Sequence, residues 1–133
     1  MITKFNIFEK HWTEEDIHSV KLIDKLVNIF KKLGFEERYG NQNNYDVTYF
    51  GLNNETIFYM KGGLGRNKIA FNSLGMDFTL FKKLRNFFRT IEGLKIEDYF
   101  FYFDIIIEDF DKVMSQITFE DMELKMNSEK YNI

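Results

Sequence analysis

The chain has 133 residues, of which 44% are hydrophobic, 29% charged and 18% aromatic, and its formal net charge is −3. This length and composition predict a single α+β domain spanning residues 1–133, with an end that frays after about residue 126, and exclude a disordered chain. The sequence contains neither cysteine nor proline, which excludes disulfides, thiolate metal sites, cysteine nucleophiles and cis-proline turns. Since no secretory signal or bilayer-length apolar run is visible, we expect a cytoplasmic protein that does not enter a membrane.

The clearest helix signal follows Thr13. Thr13 is typical of an N-cap, the three residues after it are acidic, and Gly34 is typical of a helix stop. Between them, apolar residues recur at helical spacing on one face, namely Leu22, Leu26, Ile29, Phe30 and Leu33. The pattern predicts an amphipathic helix that packs on a sheet.

Two strands are predicted at 45–52 and 55–61, because both segments are rich in aromatic and β-branched residues. Asn53 and Asn54 suit the two-residue turn of a hairpin, because Asn tolerates positive φ. Closing the turn there predicts the pairs Leu52 with Glu55, Tyr49 with Phe58 and Val47 with Met60. Val47, Tyr49, Phe58 and Met60 would then share the apolar face beneath the first helix.

The remaining elements are predicted from the same kinds of signal. The glycine-rich segment 61–68 lacks the features of a phosphate-binding loop, so we expect a hairpin connection that leads into a third strand. A second helix is predicted at 78–92 with Asp77 as cap and Gly93 as stop, a buried strand at 99–107 and a helix at 109–117. The alternative to the strand at 99–107 is a helix that begins near Glu97. The predicted fold is a compact α+β domain in the order α-β-β-β-α-β-α, with a mostly antiparallel sheet covered by helices.

Charge is strongly segregated along the chain. Residues 61–95 carry a net charge of +6, residues 96–133 carry −7, and residues 1–60 carry −2. The simplest interpretation is that the two later segments neutralise each other or form solvated faces. Two functional interpretations remain open beside it.

The acidic segment indicates a protein-binding surface, and we favour this interpretation. Carboxylates interleaved with Phe110, Phe119 and Met122 would supply steering charge and an apolar anchor for a partner protein with a basic surface. The protein would then be a non-catalytic module, a small acidic inhibitor or immunity-type protein that acts on a nuclease or another nucleic-acid enzyme. The partner-binding candidates are Glu108, Asp109, Asp111, Glu120, Asp121 and Glu123.

The alternative is a DNA- or RNA-binding module that uses the basic loop 61–68 and the basic helix 78–92. A row of cations of this kind is what phosphate contacts require, although the net acidity of the chain counts against a dedicated nucleic-acid binder. The candidate residues are Lys61, Arg66, Lys68, Lys82, Arg85 and Arg89.

Signals for catalysis are weak, and we expect no catalytic residues, no cofactor and no metal site. His11 and His18 are the only histidines, and no matching ligand set accompanies them. The tripeptide 123–125 has the acid-x-Lys spacing of metal-dependent nucleases, but such a tripeptide occurs often by chance. Asp104 lies inside the aromatic strand. If it is buried, it should be paired or titrate abnormally, which could mark a site; otherwise it points to solvent from an edge.

Overall fold

The computed structural model describes residues 14–38, 47–52, 55–62, 67–74 and 78–127. These residues form four helices and six strands: α1 (Glu14–Lys32), β1 (Glu36–Arg38), β2 (Val47–Leu52), β3 (Glu55–Lys61), β4 (Lys68–Ser73), α2 (Phe78–Arg89), β5 (Leu94–Asp98), β6 (Tyr102–Ile107), α3 (Phe110–Gln116) and α4 (Phe119–Asn127). The strands form one sheet in the order β1-β2-β3-β4-β6-β5, and every neighbouring pair is antiparallel. The predicted α+β fold is confirmed, with β1, β5 and α4 as additions to the predicted order.

The predicted glycine stop is correct for the first of the two long helices and wrong for the second. Gly34, two residues after α1, has a φ of 103°, which is the left-handed backbone that ends many helices, as predicted. Gly93 has a φ of 91° but lies four residues beyond α2, in the turn that leads into β5, so its predicted role as the helix stop is wrong. The second helix ends at Arg89, three residues before its predicted end at Glu92. The predicted caps Thr13 and Asp77 lie outside the described residues. None of the described helices is long and apolar enough to cross a membrane.

Aliphatic side chains and phenylalanine rings form the core between the helices and one face of the sheet. Phe30 of α1 is fully buried, as predicted, and its ring meets those of Phe50 and Phe58 edge-on at centroid distances of 5.0 and 5.3 Å. Under α2, the rings of Phe88 and Phe71 lie 5.1 Å apart. These contacts define the inner face of the sheet, which packs against the helices; the outer face is the opposite one.

The predicted register of the β2–β3 hairpin is correct only at its first pair. Leu52 lies opposite Glu55, but a β-bulge between Phe50 and Gly51 shifts the later pairs by one residue. The observed pairs are Phe50 with Phe58, Thr48 with Met60, Tyr49 with Tyr59 and Val47 with Lys61. Val47 and Tyr49 therefore lie on the outer face, and their predicted position beside Phe58 and Met60 is wrong.

Gly51 explains where the bulge occurs. A Cβ atom at this position would lie 2.3 Å from the carbonyl oxygen of Glu55 and 2.4 Å from Nη1 of Arg38, so only glycine fits. The residue without a partner is Ile57 of β3, because Phe58 lies opposite Phe50 and Thr56 lies opposite Gly51. Phe58 therefore faces the core together with Phe50, and half-buried Tyr49 lies on the outer face.

Candidate functional site

The six predicted partner-binding acids lie on α3, on α4 and in the two residues before α3. All six are exposed, and residues 108–127 hold six acidic and two basic residues, a net charge of −4. We call these six residues, Glu108, Asp109, Asp111, Glu120, Asp121 and Glu123, the acidic face.

Local capping signals position both helices of the acidic face. The carboxylate of Asp109 accepts a hydrogen bond from the Lys112 amide at 3.2 Å and thereby caps α3. At α4, the hydroxyl of Thr118 accepts from the Asp121 amide, also at 3.2 Å. Acids in the first turn of each helix, such as Asp111 and Glu120, are favoured by the helix dipole.

Two lysines from the long helices tie α3 and α4 to the rest of the fold. Lys25 of α1 donates from Nζ to the carbonyl oxygen of Met114 at 2.6 Å. Lys83 of α2 donates to the carbonyl oxygen of Met126 at 2.8 Å, at the negative end of the α4 dipole. The acidic face therefore stands on helices that are fixed at several points.

Most of the acidic face makes no ion pair. Within the described ranges, the carboxylates of Glu108, Asp111, Glu120, Asp121 and Glu123 form no salt bridge. Because they are exposed, these charges are hydrated in the free protein and open to a partner.

The apolar residues expected to anchor a partner are not available for that role. Met122 is fully buried, whereas Phe110 and Phe119 are half-buried against the core. Leu124 of α4 is exposed over 73% of its surface. Beside it lies a groove of about 510 Å³ between α2 and α4, lined by Phe87, Thr90, Ile91, Ser115, Gln116, Asp121, Leu124 and Lys125.

The structure separates the predicted nucleic-acid-binding residues into two groups. Lys61 and Lys68 belong to strands and lie on the outer face of the sheet, in register with Val47 and Ile106. The other group, Lys82, Arg85 and Arg89, lies on α2, which covers the inner face. Arg66 lies outside the described residues. The basic candidates in the described ranges thus do not form one continuous row.

Several of these cations are neutralised by nearby acids. Arg85 donates from Nη1 to Oδ1 of Asp98 at 2.9 Å, and Arg89 pairs with the other oxygen of the same carboxylate. Nζ of Lys68 lies 3.5 Å from Glu97 and 3.6 Å from Asp104. These cations therefore pair with acids of β5 and β6 and not with those of the acidic face.

Asp104 is buried on the outer face of β6, with only 7% of its surface exposed. Loss of hydration raises the pKa of its carboxyl above the ordinary value, the nearby charge and hydrogen bond of Lys68 act in the opposite direction, and Glu97 raises it further. Glu97 lies directly opposite on β5. The residue is thus both paired and abnormal in titration, one of the two outcomes considered from the sequence.

In the described part of the chain, the residues that carried the weaker signals for metal chemistry do not form a metal site. His18 stacks on the ring of Phe110 at 4.2 Å, and His11 lies outside the described residues. Glu123 and Lys125 belong to helix α4. Among the residues that the structure describes, no group of three or more His, Cys, Asp or Glu could hold a metal ion.

One feature that the sequence analysis missed is an exposed aromatic cluster. Residues 99–101 were assigned to a buried strand, but they form the turn between β5 and β6, and that assignment is wrong. The exposed fractions are 44% for Tyr99, 77% for Phe100, 58% for Phe101 and 38% for Tyr102. We call these four residues the aromatic tip.

Comparison with known proteins gave no match. No protein-family model, curated protein or solved structure matches this chain. Function must therefore be inferred from the geometry of these surfaces.

Proposed function

We propose that the protein is a non-catalytic protein-binding module whose acidic face binds the basic surface of another protein. The observation that carries this proposal is the uneven pairing of charge. Asp98 and Asp104 are held by Arg85 and Lys68, whereas five carboxylates of the acidic face have no ion pair among the described residues. Exposed carboxylates that form no ion pair with a described residue are available for a partner.

The surroundings of the acidic face supply an apolar contact, which charge alone does not provide. Long-range charge mainly accelerates association, while a buried apolar contact keeps the complex together. Leu124 and the groove between α2 and α4 provide such a contact beside Asp121. The combination fits a partner that presents a cationic surface with an apolar pocket or side chain.

A nuclease or another nucleic-acid enzyme is the partner class that this surface suits best. Such an enzyme must carry a cluster of cations to hold phosphates. An acidic surface that occupies the cluster excludes the nucleic acid by direct competition. The protein would thus act as a small acidic inhibitor or immunity-type protein.

The proposal can be tested by affinity capture from a lysate of the organism that encodes the chain, with and without nuclease treatment. We expect one stoichiometric protein to be recovered under both conditions by the wild type and in a smaller amount by Glu120→Lys, because the charge reversal slows association. Glu55→Lys is a matched control, because it makes the same charge change at an exposed residue of β3 that forms no salt bridge with a described residue. Equal recovery by both variants would contradict a role for the acidic face, and recovery that requires nucleic acid would favour the alternative function.

A further inference from the structure

The aromatic tip forms an exposed apolar patch on a protein of modest size. Leu74, which is 49% exposed, lies close by, since the amide of the preceding Ser73 donates to the carbonyl oxygen of Phe101 at 3.1 Å. Contiguous exposed rings are costly to leave in water and mark interaction surfaces when they occur in soluble domains.

Contacts within the chain hold the rings of the aromatic tip in place in the free protein. The rings of Tyr99 and Tyr102 stack at a centroid distance of 4.4 Å, and the Tyr99 amide donates to the Tyr102 carbonyl oxygen at 2.9 Å. Phe100 and Phe101 both contact Phe78 at the start of α2, at 6.0 and 5.7 Å. Binding to rings that are already ordered costs little conformational entropy.

A cationic rim borders these rings. A cavity of about 490 Å³ is lined by Phe78, Lys82, Arg85, Asp98, Tyr99 and Phe100. The rim has two cations, Lys82 and Arg85, and one carboxylate, that of Asp98. Lys82 is exposed and makes no ion pair with a described residue. The Nε–H of Arg85 is buried without an acceptor, so Asp98 does not use all donors of that guanidinium.

The charge of the rim argues against two kinds of occupant. In a symmetric dimer formed tip to tip, two rims of like charge would face each other and repel. Single-stranded nucleic acid would gain from the rings, but its affinity depends on several phosphate contacts, and Arg85 and Arg89 already share Asp98.

We propose that the aromatic tip is a docking site for a segment of a partner protein in which apolar side chains lie next to carboxylates. The apolar side chains pack on Phe100 and Phe101, where aromatic rings beside arginine match the composition of protein interaction hot spots. A carboxylate pairs with Lys82, the rim cation that forms no ion pair with a described residue. This site differs from the acidic face in position and in charge, so it takes a different partner segment, and its test is independent of the proposed function.

The experiment is selection from a displayed library of random short peptides on the wild-type protein, followed by affinity measurement on a selected peptide by fluorescence anisotropy. We expect selected peptides to combine Asp or Glu with Leu, Phe or Trp. Phe100→Ser and Lys82→Glu should each weaken binding by roughly tenfold or more. Lys21→Glu is the matched control for Lys82→Glu, because it makes the same charge change at an exposed lysine of α1, and it should leave affinity unchanged. Phe100 and Lys82 are both exposed, and unchanged thermal unfolding verifies that each variant folds.

Three outcomes would overturn the proposal. The first is that no peptide is enriched, and the second is that Phe100→Ser does not weaken the selected peptides. The third is that a labelled oligothymidylate, or vesicles containing phosphatidylserine, binds the wild type at the same salt concentration more tightly than the peptides and is released by Phe100→Ser. That result would assign the aromatic tip to a nucleic acid or a lipid surface instead.

Discussion

Arg85 on α2 and Asp98 on β5 are joined by a hydrogen-bonded ion pair of 2.9 Å, and Arg89 one turn later pairs with the same carboxylate. The row of cations along α2 exists, but two of its members hold the helix to an edge strand of the sheet. The same carboxylate borders the cavity at the aromatic tip. This arrangement weakens the case for a phosphate-binding helix.

The first prediction concerns this ion pair. A double-mutant cycle with Arg85→Ala and Asp98→Ala should give a coupling free energy of about 0.5–1 kcal/mol, because the pair is hydrogen-bonded but partly exposed. The measurement is urea unfolding of the four proteins at low and high salt, and the coupling should decrease with salt. The same cycle on Arg38 and Glu36, whose carboxylate is more exposed, should give a smaller coupling. Equal couplings for the two pairs would contradict the assigned role.

The second prediction concerns the core. Phe30→Ala should lower the free energy of unfolding by about 3–5 kcal/mol, because the ring is fully buried among those of Phe35, Phe50 and Phe58. Lys32→Ala, at an exposed position of the same helix, should change it by less than about 0.5 kcal/mol. Urea unfolding checks both values, and a small loss for Phe30→Ala would contradict the packing of α1 on the hairpin.

Phe30 shows which part of the fold was accessible from sequence. Its burial follows from helical periodicity, which depends only on nearby residues. The faces of the β2–β3 hairpin also depend on alternation, but one bulge residue inverts the alternation beyond it. The requirement for glycine at Gly51 comes from Arg38 and Glu55, and the approach of Arg38 is a tertiary contact.

The candidate surfaces were predictable to different degrees. Glu108 and Asp111, which are candidates because of their charge, are exposed in the structure. The predicted order lacks β5 and α4, although both have local signals in the sequence. Apolar and charged residues alternate at 94–97, and a Thr-x-x-Asp cap lies at 118–121. The ion pairs depend on which elements meet in the sheet. The aromatic tip was missed because dense aromatic sequence is more often buried than placed in a turn.

The third prediction concerns the pH dependence of the stability that Asp104 contributes. Burial raises its pKa in the folded state above the ordinary value of about 3.9. The folded protein then binds this proton more tightly than the unfolded chain. The stability that Asp104 contributes is therefore greatest below its ordinary pKa and decreases as pH rises through the raised pKa. Asp104→Asn cannot ionise, so its free energy of unfolding should rise relative to wild type over that interval.

The measurement for Asp104 is urea unfolding of the wild type and Asp104→Asn from acidic to neutral pH. Asp111→Asn, which removes an exposed carboxylate on α3, serves as control for the loss of one acid. A difference between wild type and Asp104→Asn that does not change with pH would contradict the assigned effect of burial. If the free energy of unfolding of Asp104→Asn decreased relative to the wild type as pH rises, the ion pair with Lys68 would outweigh the effect of burial.

The fourth prediction separates steering from anchoring on the acidic face. Glu108 and Asp111 are exposed and form no salt bridge with a described residue, so Glu108→Lys with Asp111→Lys should leave the protein folded. Exposed charges act mainly on diffusional encounter; the double variant should therefore bind a recovered partner with a slower association rate, a weaker salt dependence and a nearly unchanged dissociation rate. Leu124→Ala should increase the dissociation rate and leave the association rate nearly unchanged, because truncating an apolar contact accelerates dissociation. Surface plasmon resonance at several salt concentrations measures both rates. If the folded double variant associates at the wild-type rate at every salt concentration, the acidic face does not steer binding.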